Sequence, residues 1–137
     1  MLTNIAHRGA RSLAPENTLA AARKAHEVGA ELWETDIAIT RDDVLVLFHD
    51  QLPGRTTNAA RVFPKRKNHP LCEFTYAECR QLDAGEFFER CDPFGTIRSG
   101  TVGPEELYSY RGERIPSLLE ALQLTRHLDW SINLELK

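Results

Sequence analysis

Between Glu31 and Thr40 the chain alternates with period two: Trp33, Thr35, Ile37 and Ile39 fall on one side, and Leu32, Glu34, Asp36 and Ala38 on the other. Successive side chains on a strand point to opposite faces. The segment therefore predicts a strand with one apolar side and two carboxylates on the other, and the apolar side has to be covered. The neighbouring sequence supplies the cover. Pro15-Glu16-Asn17-Thr18 predicts a helix start, with Asn17 or Thr18 as the cap and Glu16 at the positive end of the helix dipole. The alanine-rich run from Leu19 to Val28 continues the helix, and Gly29 is its left-handed stop. Ahead of it, Ile5 and Ala6 predict a short strand ending in His7-Arg8-Gly9.

Beyond Thr40, Arg41-Asp42-Asp43 predicts a turn and Val44–Phe48 a second, continuously apolar strand that ends at His49-Asp50. Thr75-Tyr76-Ala77-Glu78 fits a capping box for a short helix to about Leu82. Ile115-Pro116-Ser117 opens another helix, whose buried stripe is expected to be Leu118, Leu119, Leu122 and Leu128. In the last strand, Trp130 to Lys137, Ile132, Leu134 and Leu136 share one face while Asn133, Glu135 and Lys137 share the other. Strands alternating with helices signal parallel βα units and an α/β fold. Residues 51–114 are too long for a plain connection and read either as a lid or binding loop or, equally, as a decorative insertion. Within them Lys65-Arg66-Lys67 reads as a solvated basic loop.

Composition removes several classes of function. With 42% hydrophobic and 27% charged residues the chain has the make-up of a folded protein and not of a disordered one. No apolar run approaches the roughly 20 residues of a membrane-spanning helix, and the start of the chain carries no signal-peptide pattern. A net charge of -3 gives no basic footprint for nucleic acid. Cys72, Cys79 and Cys91 are odd in number and lack CxxC spacing, so they are expected to be reduced thiols of a cytoplasmic chain.

The chemistry-bearing residues gather at predicted strand ends. Glu34 and Asp36 project from one face, and Glu135 alternates in the same way in the last strand. Three converging carboxylates make an all-oxygen site for a hard divalent cation, calcium or magnesium. The bland alternative, a solvated polar face, is weakened by the flanking helices and the apolar opposite side. His7 and His49 each end a strand and suit general acid and base work near neutrality. Arg8 offers a planar donor fork for phosphate oxygens and Lys137 a point charge for the same purpose. Two cations, two imidazoles and three carboxylates suggest metal-assisted phosphodiester chemistry.

His7-Arg8-Gly9, Pro15-Glu16-Asn17-Thr18, Glu34-Thr35-Asp36, Thr40 with Asp42, His49-Asp50, Arg55-Thr56-Thr57-Asn58, Leu82-Asp83-Ala84-Gly85, Ile115-Pro116-Ser117-Leu118 and Glu135-Leu136-Lys137 follow one another along essentially the whole chain. In this order they resemble the glycerophosphodiester phosphodiesterases. The resemblance implies that His7 and His49 are the acid/base pair, that Glu34, Asp36 and Glu135 hold the metal, and that Arg8 and Lys137 contact phosphate. It also implies that Phe87 and Phe88 lie near the substrate pocket. The small-molecule substrate would be a glycerophosphodiester, cleaved to glycerol 3-phosphate and an alcohol. Pro53-Gly54 departs from the family pattern, and Ala59–Phe74 and Glu89–Ser109 exceed its usual connections, which bears on the pocket mouth and so on the alcohol.

The fold implied is a TIM (β/α)8 barrel, which takes about 250 residues. The 137 residues make one domain, the N-terminal part of such a barrel, with an insertion at about 51–114 after the second barrel strand. An open sheet of this kind is expected to expose two strand edges, to associate, and to be inactive or weakly active alone. Two rival readings are a related barrel lipase acting on choline- or ethanolamine-headed phospholipids, for which the insertions are too polar, and a truncated, non-catalytic partner-binding fragment.

Overall fold

In the computed structural model, which describes residues 2–137, a four-stranded sheet is built around one long strand. β1 (Ile5–His7) runs parallel to β2 (Leu32–Ile39), with Ala6 opposite Trp33 and His7 opposite Glu34. β3 (Leu45–Leu47) returns antiparallel to β2, with Leu47 opposite Ile37. It shares the β2 edge used by β1, farther along. The other edge of β2 is taken by β4 (Ser131–Leu136), parallel and in a register that sets Asp36 opposite Glu135. Three parallel strands from two βα units follow the expected α/β plan. The hairpin strand β3 reverses direction because Arg41–Asp43 is a tight turn, closed by Asp43 at φ +60° and by Thr40 Oγ1 bonding Asp42.

β1 ends before β3 begins, and the gap is filled by a side chain. Gly9 N donates to Glu34 O and Phe48 N donates to Asp36 O, which leaves Asp36 N between them. Asn17 Oδ1 accepts that N–H at 3.2 Å and also the Thr35 hydroxyl at 2.7 Å. The Asn17 amide thus stands in for a missing strand residue, and its backbone N is tied to Arg8 O.

Two helices cover one face of the sheet. α1 (Leu19–Glu27) is capped by Thr18, whose Oγ1 accepts from Ala21 N, and Gly29 past its end lies at φ +83°. Gly9 lets the β1 turn press on this helix: a Cβ there would stand 2.7 Å from Ala21, and φ is +76°. Ser117 and Glu120 form the capping box of α6 (Leu118–His127). Trp33, Ile37 and Leu47 pack with Ala22 of α1 and with Ala121 and Leu124 of α6. Trp33 is fully buried, stacked on Trp130, and its indole N–H donates to Thr125. A ring of that size is worth about 4–6 kcal/mol of burial.

Several expectations of burial are corrected. The buried stripe of α6 is Ala121, Leu124 and Thr125 with Leu118 and Leu128 beside it, while Leu119 and Leu122 face outward at 64% and 41% exposure. Ile39 is exposed because β2 outruns its cover, and Leu134 and Leu136 are exposed on the edge strand β4. The opposite face of β2 buries Glu34 and Asp36, as the flanking helices required.

Residues 51–114 are not irregular. They hold α2 (Ala59–Val62), α3 (Tyr76–Cys79), α4 (Glu86–Cys91), α5 (Pro104–Tyr110) and two 3-10 turns. Phe74, Leu82, Cys79 and Leu71 form one apolar core against Val46 and Phe48. The predicted box of Thr75 and Glu78 caps α3. Arg66 is no free loop cation: its guanidinium lies 4.0 Å from the Phe74 ring centre and pairs with Glu78. The chain leaves β3 after Leu47 and comes back to it, Leu47 N donating to Pro116 O and Val46 bridging to Ser117.

Candidate active site

β1 ends opposite Glu34 and β4 opposite Ile37, so both stop beside the middle of β2, and the hairpin brings the end of β3 back to the same stretch, with Leu47 opposite Ile37. Because Asp36 and Glu135 are register partners and Glu34 is two residues from Asp36, the three carboxylates share one face. One oxygen of each falls within 4.8 Å of the others. Glu34 and Asp36 are buried and Glu135 is exposed.

Cations surround this cluster. Arg8, at φ +59°, turns back over the sheet so that its backbone N donates to Glu34 Oε2 at 2.9 Å. Its guanidinium lies 3.2 Å from Asp36 Oδ2 and donates to Glu16 at 3.0 Å. Lys137 Nζ is 3.1 Å from Asp36 Oδ1 and touches Glu135 Oε1. Burial pushes the Asp36 carboxyl upward, but the Asn17 amide at 2.9 Å, Lys137, Arg8 and His49 outweigh it and hold it below the ordinary value. Asp36 is therefore an anion at neutral pH although it is fully buried.

His7 Nε2 stands 3.7 Å from Glu34 Oε2, on a side chain that is 48% exposed. His49 Nδ1 is 2.7 Å from Asp50 Oδ1. Arg55, bonded to both oxygens of Asp50, keeps this carboxyl below its ordinary value against burial. An ionised carboxylate only accepts, so the His49 proton sits on Nδ1 and Nε2 is the free nitrogen. His49 and Lys137 line an open cavity of about 260 Å³, walled by Ala38, Ile39, Pro70 and Leu71.

The site as folded thus joins His7, Arg8, Glu34, Asp36, His49, Glu135 and Lys137. Phe87 and Phe88 do not join it. Both are buried in a core with Ala14, Ala21, Val102, Leu107 and Tyr110, because the first turn of α4 faces α1 and α5. Asn17, Glu16, Asp50 and Arg55 support the site; the sequence marks Asn17 and Glu16 only as helix-start residues and gives Asp50 and Arg55 no separate role, although each lies in a motif quoted above. A buried Asn two residues before a helix has the same local pattern whether it caps that helix or mends a strand ladder.

The donors suit a hard cation. Glu34 Oε1 is buried with no hydrogen-bond partner among the described residues, and Asp36 Oδ1 is met by the Lys137 ammonium at 3.1 Å. Buried carboxylate oxygens are costly without a partner, and an oxygen-only set matches a divalent ion of the calcium or magnesium kind. Glu34, Asp36 and Glu135 would hold it.

Acidic and basic groups at the carboxyl ends of parallel strands, with helices packed on the outer face, define an α/β-barrel type of enzyme fold. The chain belongs to the glycerophosphoryl diester phosphodiesterase family, whose model matches residues 7–137. It is 38% identical over 133 residues to a glycerophosphoinositol inositolphosphodiesterase of Mus musculus, a match that covers 97% of this chain and 24% of that protein. A glycerophosphodiester phosphodiesterase of Caldanaerobacter subterraneus is also 38% identical, over 97% of this chain and 44% of its own. A phosphodiesterase of Oleispira antarctica, solved in complex with the product sn-glycerol-3-phosphate, superposes with a TM-score of 0.76 at 32% identity, covering all of this chain and 45% of that one. The chain therefore spans between a quarter and a half of these relatives, and its fold is the N-terminal part of their barrel. Among the described residues no helix is long and apolar enough to cross a membrane.

Proposed function

We propose that the protein hydrolyses glycerophosphodiesters to glycerol 3-phosphate and an alcohol. The observation that carries this reading is the meeting of Glu34, Asp36 and Glu135 within 4.8 Å, with the buried Glu34 Oε1 left without a hydrogen-bond partner among the described residues, between two histidines and two cations. When bound there, a calcium or magnesium ion supplies Lewis-acid polarisation of the phosphoryl oxygens and lowers the pKa of the nucleophile. Arg8 and Lys137 bind the remaining phosphate charge, Arg8 through its fork and Lys137 as a point charge. His7 and His49 divide the proton transfers: one takes the proton of the attacking hydroxyl or water, and the other returns a proton to the leaving alkoxide. The Oleispira antarctica relative, with glycerol 3-phosphate bound as its product, supports the product assignment.

The test uses the full-length chain and a glycerophosphodiester with a poor leaving group. His7→Ala and His49→Ala are expected each to lower kcat by roughly 10²–10⁴-fold. Glu34→Gln, Asp36→Asn and Glu135→Gln are expected to weaken cation binding, read by calorimetry, together with turnover. Activity that survives exhaustive chelation, or near-normal kcat in either histidine variant, overturns the reading.

A further inference from the structure

The supports of His49 and Arg8 meet in one side chain. Arg55 donates from Nε and Nη2 to both oxygens of Asp50, the carboxylate that accepts from His49 Nδ1. On its other edge it donates from Nη2 to Glu16 Oε1 at 2.7 Å and from Nη1 to Glu16 Oε2 at 3.0 Å. Glu16 Oε1 in turn accepts from Arg8 Nη1 at 3.0 Å. The series His49, Asp50, Arg55, Glu16, Arg8 is therefore unbroken, and Arg55 is its midpoint, joining the end of the hairpin to the loop that follows β1.

The backbone beneath Arg55 is fixed. Pro53, Thr56 and Thr57 are buried, Thr57 Oγ1 donates to Pro53 O at 2.6 Å, and Ala59 N donates to Thr57 Oγ1. Arg55 itself is 47% exposed along its side chain. An ion pair so open to water adds little to fold stability. Its geometry is another matter, because two bidentate contacts fix the plane of each carboxylate as well as its distance.

We propose that Arg55 is a positioning residue for both histidine-assisted proton transfer and phosphate binding, acting through Asp50 on the tautomer and ring plane of His49 and through Glu16 on the guanidinium of Arg8. The inference rests on the roles given to His49 and Arg8 under the proposed function. Lysine cannot replace Arg55, since one ammonium has no planar fork with which to hold two carboxylates.

A double-mutant cycle in the full-length chain tests this. Removing a partner that orients a working imidazole typically costs about 10–100-fold, so Arg55→Met is expected to lower kcat by at least roughly tenfold and to raise KM. Arg55→Lys is expected not to restore either. In a His49→Ala background the effect of Arg55→Met on kcat should shrink to within about twofold, the limit for independent sites in reverse. In a Glu16→Gln background its effect on KM should shrink likewise. Equal kcat losses in both His49 backgrounds, or an unchanged kcat in Arg55→Met where His49→Ala is impaired, overturn the proposal and leave the proposed function standing. A His49→Ala protein with normal turnover overturns both. Asp50→Asn keeps the side-chain size and one carbonyl oxygen but removes the charge and one of the two acceptor oxygens that Arg55 and His49 share. Should Arg55→Met fail to fold, the same cycle is run with Asp50→Asn, and a kcat loss that does not shrink in the His49→Ala background overturns the proposal.

Discussion

Asn17→Ala is expected to be among the most damaging single changes in the chain. Asn17 is 95% buried and makes three side-chain hydrogen bonds: it donates to Asp36 Oδ2 and accepts from Asp36 N and from Thr35 Oγ1. Alanine leaves two buried donors without acceptors and strips a buried carboxylate of its neutral donor. Each unsatisfied group costs about 1–3 kcal/mol. The backbone adds to this, because Asn17 lies at φ +54°, a left-handed conformation that costs a residue with a plain Cβ about 1–2 kcal/mol. The groups share partners and do not add in full, so a loss of about 3–5 kcal/mol is expected. Urea unfolding of the full-length chain, followed by circular dichroism, measures it. Asn17→Gly separates the two parts: it loses the same hydrogen bonds without the backbone strain, so it should be about 1 kcal/mol more stable than Asn17→Ala. An Asn17→Ala protein within about 1 kcal/mol of the parent would refute the ladder-filling role, and equal stability of the two variants would refute the strain argument.

Two further outcomes follow from the charges and thiols. Glu16 feels burial upward, but Arg55 and Arg8 outweigh it, and Arg55 likewise lowers Asp50, so both folded carboxyls titrate below their unfolded values. Their stabilisation is complete above about pH 5 and is lost as pH falls through the depressed values. The stability gap between parent and Arg55→Met, on the order of 1 kcal/mol at neutral pH given the exposure of Arg55, should therefore close on acidification. A gap that is constant or widens toward pH 3 in urea titrations contradicts the pairing. Cys79 is buried, and burial pushes its thiol up to about 12, whereas Cys72 and Cys91 are exposed. A maleimide should label Cys72 and Cys91 in the native chain and reach Cys79 only in denaturant; native labelling of Cys79, read by mass spectrometry, would contradict the packing of α3.

The alternation of β2 was legible because both of its faces are specified by chemistry, Trp33 and Ile37 toward helices and Glu34 and Asp36 away from them. The cap of α3 was legible for a similar reason, since a capping box is satisfied within four residues, and the start of α1 was narrowed to Asn17 or Thr18, of which Thr18 is the cap. What escaped depends on partners distant in sequence. Leu119 and Leu122 have the apolar character of a buried stripe, yet the tight packing of α6 on Trp33 selects the small Ala121 instead. Phe87 and Phe88 carry no local sign of which surface they fill. Their place was settled by Val102, Leu107 and Tyr110 of the same insertion. For the site, Glu34, Asp36 and Glu135 could be placed on one face by periodicity, but the strand register that brings Glu135 beside Asp36 is a property of the assembled sheet. The work of Asn17 lay beyond local pattern altogether, since it fills a gap left by two strands that end short.

The excursion from residue 48 to residue 116 begins and ends on the same short strand, with Leu47 bonded to Pro116 and Val46 bridged to Ser117. Its two feet stand together, so its length is mechanically independent of the distance between β2 and β4. Loop closure grows costly only slowly with added residues. A chain laid out in this way can acquire, lose or exchange whole helices there while Glu135 and Lys137 arrive at the same height beside Asp36. The wall formed by Pro70 and Leu71 belongs to the adjustable part, whereas His49, Asp50 and Arg55 stand at its first foot and belong with the constant charged face. A graft that begins beyond Asn58, leaving His49, Asp50 and Arg55 in place, offers a direct way to reshape the cavity wall while leaving the charged face alone.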